Sequence, residues 1–303
     1  MTMAGDSTDE MALLSRRMLL GGGMAMGAAA ALPAFAASTT SASSLPRETG
    51  IPADEKSRID IIRRVRLRTD PGLVCWFFRG RNYAQQGANL IPLCELNFGA
   101  VMMVQPNADG TMDVTQYELG FRTAPGSATF AEKLHNPITG EMVDTSFAPV
   151  GPTSVHYDAH NVLQLPETIG GSSFTLEHVP ELFYHVGDTI AFQTHSRARA
   201  VTPGKPDRVL NDMSMICSPA VEALNPKVHF ASANAHGTDV TDYARWWKMP
   251  PGSGTQTLRS FGQKVASFAE MPEDWRTMLA RFDPVMAADP VAGLKRKALE
   301  YRN

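Results

Sequence analysis

The chain has 303 residues, a formal net charge of −3 at neutral pH and 19% charged side chains. With a balance this close to neutral, no lysine-rich run and no basic stripe interleaved with aromatics, a polyanion partner is not expected and nucleic-acid binding is left without support. The length is enough to bury one substantial core.

The first readable feature is Ser15-Arg16-Arg17-Met18-Leu19-Leu20, two arginines directly before an apolar run that continues to Ala31. This is the pattern of a twin-arginine export signal. The run is rich in Gly and Ala, too weakly hydrophobic for a permanent membrane anchor, and closes with Ala34-Phe35-Ala36, the small-large-small pattern of a cleavage site. The expected domain plan is a cleavable signal over 1–36, cut near Ala36/Ala37, a flexible leader over 37–52, and a single β-rich domain over 53–303. The expected location is the periplasm, with the twin-arginine translocon as partner during export. Residues 1–36 hold two arginines and three acidic side chains, so the remainder carries 26 basic against 28 acidic ones, a net charge of −2.

Residues 53–67 read as a helix with Ile61, Ile62 and Val65 on its apolar side. Strands are predicted over 73–79, 90–104, 111–122, 127–134 and 141–148, separated by turn signals such as Ala108-Asp109-Gly110 and Asn136-Pro137-Ile138-Thr139-Gly140. The stretch 149–188, rich in Pro, Gly and Ser, reads as a looser connection. Strands resume at 189–200, 207–217, 227–236 and 256–268. Two short helices end the chain, one started by Pro272 and one by Pro290. Many strands, no βαβ alternation and only peripheral helices predict a mostly β fold, a single antiparallel β-barrel or barrel-like sandwich. Cys75, Cys94 and Cys217 lie in apolar strand-like runs outside any CxxC spacing, so they are buried thiols or supply one disulfide.

Two motifs carry a resemblance. Asn136-Pro137-x-Thr139-Gly140-Glu141 and Phe261-Gly262-x-Lys264-Val265-x-x-Phe268-x-Glu270-x-Pro272 make residues 60–275 similar to the bacterial domain-of-unknown-function family DUF1838, whose members often carry twin-arginine signals. The sequence departs from that pattern around 93–99 and at 150–161. The resemblance implies a β-rich, barrel-like fold and supplies no catalytic residues.

Candidate chemistry therefore comes from side chains alone. His156-Tyr157-Asp158-Ala159-His160 would put His156, Asp158 and His160 on one face if extended, either a two-His-one-carboxylate site for a divalent metal, an acid/base pair, or a polar surface loop. Gln193, His195, Arg197 and Arg199 form one face of a strand, with Asp212 on the next; this face is either solvent-exposed or lines a barrel lumen, where His195 and Arg197 could polarise a ligand oxygen. Tyr117, Glu118 and Arg122 could complete an acid/base set, although alternation separates Tyr117 from the other two. Trp76 followed by Arg79 and Arg81 suits a flat ligand or ordinary packing, and Trp246-Trp247 could wall a pocket mouth. No Gly-rich phosphate loop, dinucleotide fingerprint, CxxCH or GxSxG is present, so no organic cofactor is expected.

The functional expectation is a cofactor-independent acid/base enzyme of lyase or isomerase type acting on a small apolar molecule, with phenolic and aromatic compounds among the candidates. Its expected catalytic residues are His195, Arg197, Tyr117, Asp212, His156 and His160. Trp76, Arg79, Arg81, Arg122, Trp246 and Trp247 are the expected ligand contacts. The rivals are a non-catalytic carrier of a lipophilic ligand and a His/Asp metal-binding protein.

Overall fold

The structure, a computed structural model, describes residues 50–145, 149–164, 168–169 and 172–300. The twin-arginine segment, the Ala36/Ala37 cleavage site and all of the leader before Gly50 lie outside the described residues.

The chain begins with helix α1 (Glu55–Arg66), in the place that the apolar spacing predicts. The Asp54 carboxylate accepts from the Ser57 amide at 2.9 Å, Glu55 sits in the first turn and Arg63, Arg64 and Arg66 in the last, so capping and dipole terms agree on both ends. The strands follow as β1 (Gly72–Gln86), β2 (Asn89–Pro106), β3 (Met112–Thr123), β4 (Lys133–His135), β5 (Met142–Asp144), β6 (Val150–Tyr157), β7 (Leu163–Gln164), β8 (Thr168–Ile169), β9 (Ser172–Val186), β10 (Thr189–Val201) and β11 (Arg208–Pro219). After a short helix α2 (Ala220–Ala223) come β12 (Ala233–Thr241) and β13 (Thr255–Val265), and the chain closes with α3 (Glu273–Phe282), α4 (Pro284–Ala288) and α5 (Pro290–Glu300).

Eleven strands form one antiparallel sheet in the order β7-β6-β3-β2-β1-β13-β12-β11-β10-β9-β8, while β4 and β5 pair separately. The sheet curls into a half-barrel around α1. Its inner face carries Val74, Trp76, Met102, Val104, Met112, Val114, Val155, Tyr157, Phe183, Ile190, Phe192 and Ile216, which share one core with Ile61, Ile62 and Val65 of the helix. Burying each large side chain contributes roughly 1.5–3 kcal/mol, so this contact dominates the attachment of the helix. The opposite end of the lumen is plugged by Leu134, Val143, Ala244 and Trp247, packed on Ala84, Leu93 and Cys94.

The outer face of β1–β3 is covered by the C-terminal helices, where Trp275, Met278, Leu279, Met286 and Leu294 pack on Cys75, Val101, Tyr117, Leu119 and Phe121. Gly99 admits this layer, because a Cβ there would come within 2.3 Å of the Trp275 ring. Among the described residues no helix is long and apolar enough to cross a membrane. None of Cys75, Cys94 and Cys217 forms a disulfide.

The region 149–188 differs from the looser connection expected. It holds β6 and the fifteen-residue β9, which pair with β3 and β10. Pro180 breaks the strand pattern in sequence, and the register shifts there: Gln193 faces Leu182 while His195 faces Val179, so Pro180 and Glu181 together oppose Thr194 as a bulge. Of the 127–134 run only its end is strand, in β4, and the strand expected at 227–236 is centred later, in β12.

Candidate functional site

Register fixes which side chains meet in the lumen. From β10 towards β2, one row runs Ser196, Asp212, Asp239, Leu258, Asn82 and Cys94, and the row beside it runs Thr194, Ser214, Gly237, Ser260, Gly80 and Leu96. These rows form part of the wall of a cavity beneath α1, in which the centre of a water molecule can move through about 90 Å³. The remaining wall is largely apolar: Ile62, Leu67, Trp76, Phe78, Phe98, Met102 and Ile216. Phe78 stacks on Trp76 with ring centres 5.5 Å apart and lies over Gly262, where a Cβ would sit 2.2 Å from the ring. Glycine at 262 thus makes room for the aromatic wall.

The polar part of the cavity is compact. Asp212 and Asp239 are 4% and 5% exposed, and they are direct cross-strand partners on β11 and β12. Directly opposed residues on one face hold their Cβ atoms about 4.5–5.5 Å apart. Ser214 donates its hydroxyl to Asp212 Oδ1 at 2.9 Å. Tyr157 and Asn161 border the same space from the β6 side. Burial pushes the Tyr157 phenol up to about 12, against the opposing pull of Arg66 and Arg63. It is therefore a neutral hydrogen-bonding group at physiological pH.

From α1, Arg63 and Arg66 reach in. Arg63 spends its guanidinium on Asn161 Oδ1, Gly110 O and Asp158 O at 2.8–3.0 Å. Arg66 is different. Its side chain is 7% exposed, its Nη1 stands 3.5 Å from Glu181 Oε1, and its guanidinium carbon lies 5.1 Å from the centre of the Phe192 ring. None of Nε, Nη1 and Nη2 makes a hydrogen bond within the protein. Burial lowers the Arg66 pKa, with Glu181 first and then Tyr157 and Asp212 acting in the opposite sense. Glu181 comes from the β9 bulge, which turns a carboxylate inward where regular alternation from Leu176 would have pointed it outward.

Of the residues that the sequence nominated, Asp212 and Trp76 line this cavity. His195 and Arg197 do not. They alternate with Thr194 and Ser196, which are buried, and so stand on the outer face, with Arg197 exposed and 3.6 Å from Glu177. Arg199 on the same face pairs with Asp207. The lumen expectation fails for these residues because the apolar and small side chains of β10 take the even positions. Tyr117 also faces outward, fully buried beneath the C-terminal helices, where burial and Asp283 raise its pKa.

The 156–160 cluster does not converge. His156 Nδ1 meets Asp113 at 2.8 Å, His160 Nδ1 meets Glu55 at 3.0 Å, and the Asp158 carboxylate accepts from the His160 and Val162 amides. Tyr157 ends β6 and Asn161 takes a left-handed backbone at φ 62°, so the segment turns where an extended run was needed to align the three. Among the described residues no group of three or more His, Cys, Asp or Glu is placed to hold a metal ion.

Arg79 and Arg81 point outward, to Asp274 at 2.9 Å and to Glu95 at 2.8 Å, leaving Trp76 without the arginines expected beside it. Arg122 does face inward, with its guanidinium 4.8 Å from the Trp246 ring, but this contact and the Trp246-Trp247 stack belong to the plugged end rather than the cavity wall.

Sequence reasoning missed Arg66, Asp239, Ser214 and Glu181. Arg66 carried a usable signal: Ile59, Ile62, Arg63 and Arg66 follow the i, i+3, i+4, i+7 stripe of one helix face. Asp239 follows Ala233, Ala235 and Gly237 at strict alternation, once the strand is extended past 236.

No family model matches this chain, and no curated protein does either. Among solved structures, it is similar to a multiply substituted porin of Rh. blastica at 8% identity, over 64% of this chain and 99% of that chain, with a TM-score of 0.15. A likeness at that level carries no argument.

Proposed function

We propose that the protein is a cofactor-independent acid/base catalyst of isomerase or lyase type, acting on a small, mostly apolar molecule in the lumen, with Asp212 and Asp239 as the proton-transferring pair. The observation that carries this reading is their direct cross-strand pairing inside an apolar cavity. Like charges placed directly opposite are destabilising, and the low dielectric amplifies the repulsion, so the proposed resting state has a single proton shared between the two carboxylates. Such a pair presents one carboxylate as base and one carboxyl as acid in the same place.

In the proposed step the ionised aspartate accepts a proton from a substrate carbon. The C–H electron pair moves onto the adjoining unsaturated system, and the protonated partner returns a proton at a different carbon or at a leaving group. Ser214 holds Asp212 in position. Trp76, Phe78 and Phe98 supply the flat apolar wall. On the twin-arginine reading of Arg16-Arg17, this activity would belong to the periplasm.

The test is deuterium incorporation from heavy water into a panel of apolar carbon acids, read by mass spectrometry. Wild-type protein should catalyse exchange, and Asp212→Asn and Asp239→Asn should each reduce it by about two to four orders of magnitude. Exchange unchanged in both variants rejects the assignment. Saturable binding with no exchange by the wild type favours a carrier of lipophilic ligands, which the apolar wall would serve equally well.

A further inference from the structure

Arg66 identifies the ligand more closely than the apolar wall does. We infer that the cavity takes a neutral carbonyl compound with an aromatic or otherwise flat apolar body, its carbonyl oxygen accepting from the Arg66 guanidinium. This rests on the lumen being the binding site, as in the reading above, but the ligand class stands whether or not chemistry follows.

Three features lead to it. The Arg66 nitrogens are buried and make no hydrogen bond within the protein, although the residue forms part of the cavity wall. Buried N–H groups are almost always paired, and a charged donor left without an acceptor is costly, so an oxygen delivered by a ligand gains more here than at an exposed arginine. Arg63, the other cation facing the cavity, has already committed its nitrogens to Asn161, Gly110 and Asp158.

The charge inventory then decides between an anionic and a neutral acceptor. Glu181 lies 3.5 Å from Arg66 Nη1 and already balances its charge. Asp212 and Asp239 add acidic groups to the same wall. A carboxylate ligand would enter beside three acidic side chains, with Arg66 already facing Glu181 and the nitrogens of Arg63 already committed to protein oxygens. A ketone, ester or lactone oxygen brings no charge and satisfies the same donors. Trp76, Phe78 and Phe98 then receive the apolar body, with Trp76 and Phe78 stacked in nearly parallel planes, 14° apart. The same cation would sit where negative charge grows on the oxygen when an aspartate removes an α-proton, linking ligand class to reaction.

The experiment titrates wild-type protein with four probes of one skeleton: an aryl alkyl ketone, its alcohol, the corresponding aryl carboxylate and the parent hydrocarbon, followed by quenching of tryptophan fluorescence and by calorimetry. The ketone is expected to bind about tenfold or more tighter than the hydrocarbon and the carboxylate. Arg66→Met should erase the advantage of the ketone over the hydrocarbon while leaving hydrocarbon binding in place. The wild-type ranking stands alone should that variant fold poorly, and Arg66→Lys, which keeps the charge and loses the fork, should reduce the ketone advantage. Tightest binding by the carboxylate, or equal binding of ketone and hydrocarbon, overturns the inference. Asp212→Asn separates it from catalysis, since ketone binding should persist in that variant while deuterium exchange is lost.

Discussion

Glu181→Gln tests whether buried Arg66 depends on the carboxylate that stands 3.5 Å from its Nη1. The Arg66 and Glu181 side chains are 7% and 0% exposed, so neither is screened by solvent to any useful degree. Breaking a buried pair by neutralising one member strands the other, at a cost of about 3–5 kcal/mol. For a domain of this size that corresponds to a fall in melting temperature of roughly 10 °C. The double variant Arg66→Met/Glu181→Leu removes both charges together, and it should recover most of the loss or exceed wild-type stability by about 1–4 kcal/mol. Urea denaturation followed by circular dichroism measures all three proteins, with an unchanged slope required for the comparison to hold. A loss of less than about 1 kcal/mol in Glu181→Gln would show that Arg66 is neutralised by another group, and the argument for a neutral ligand would fall with it.

Further outcomes follow from the same geometry. His195→Ala and Arg197→Ala, on the outer face, should change stability by less than about 0.5 kcal/mol and leave ligand binding and exchange unaltered. Tyr157 is neutral when folded up to about pH 12 but ionises near pH 10 when unfolded, so the stability it contributes is complete below pH 10 and is lost as pH rises through 12. Chemical denaturation across that window should show a decline that Tyr157→Phe makes about 2–3 kcal/mol shallower. Tyr117→Phe removes a hydroxyl buried under the C-terminal helices, on the outer face of the sheet, and should leave lumen binding and exchange unaltered, as titrations of the variant would show. The twin-arginine reading of the sequence, by itself, predicts that replacing Arg16 and Arg17 together by lysine leaves the protein in the cytoplasmic fraction with its N-terminus uncleaved, detected by fractionation and N-terminal sequencing.

The architecture was legible because hairpin turns and alternation are local signals. Helix α1, strands β1–β3 and β10–β11 and the starts of the C-terminal helices at Pro272 and Pro290 fall close to their expected places. β9 lies in the stretch 149–188, whose Pro, Gly and Ser content reads as a connection, whereas the sheet takes in Pro180 at a bulge. The site was harder to read because alternation gives two faces without saying which one is inside. The basic side chains of β10 drew attention to the odd positions, whereas Thr194, Ser196, Ala198 and Ala200 take the inside. The pairing of Asp212 with Asp239 is a property of register between strands, and nothing in either strand alone reveals it.

The most direct test of the central claim is NMR measurement of deuterium exchange at the carbon next to the carbonyl of an aryl alkyl ketone held at saturating concentration. The account predicts exchange catalysed by the wild type and lost in Asp212→Asn and Asp239→Asn, with ketone binding retained in both. Exchange at the buffer rate in the wild type, with the ketone bound, would contradict it and leave the lumen as a binding site alone.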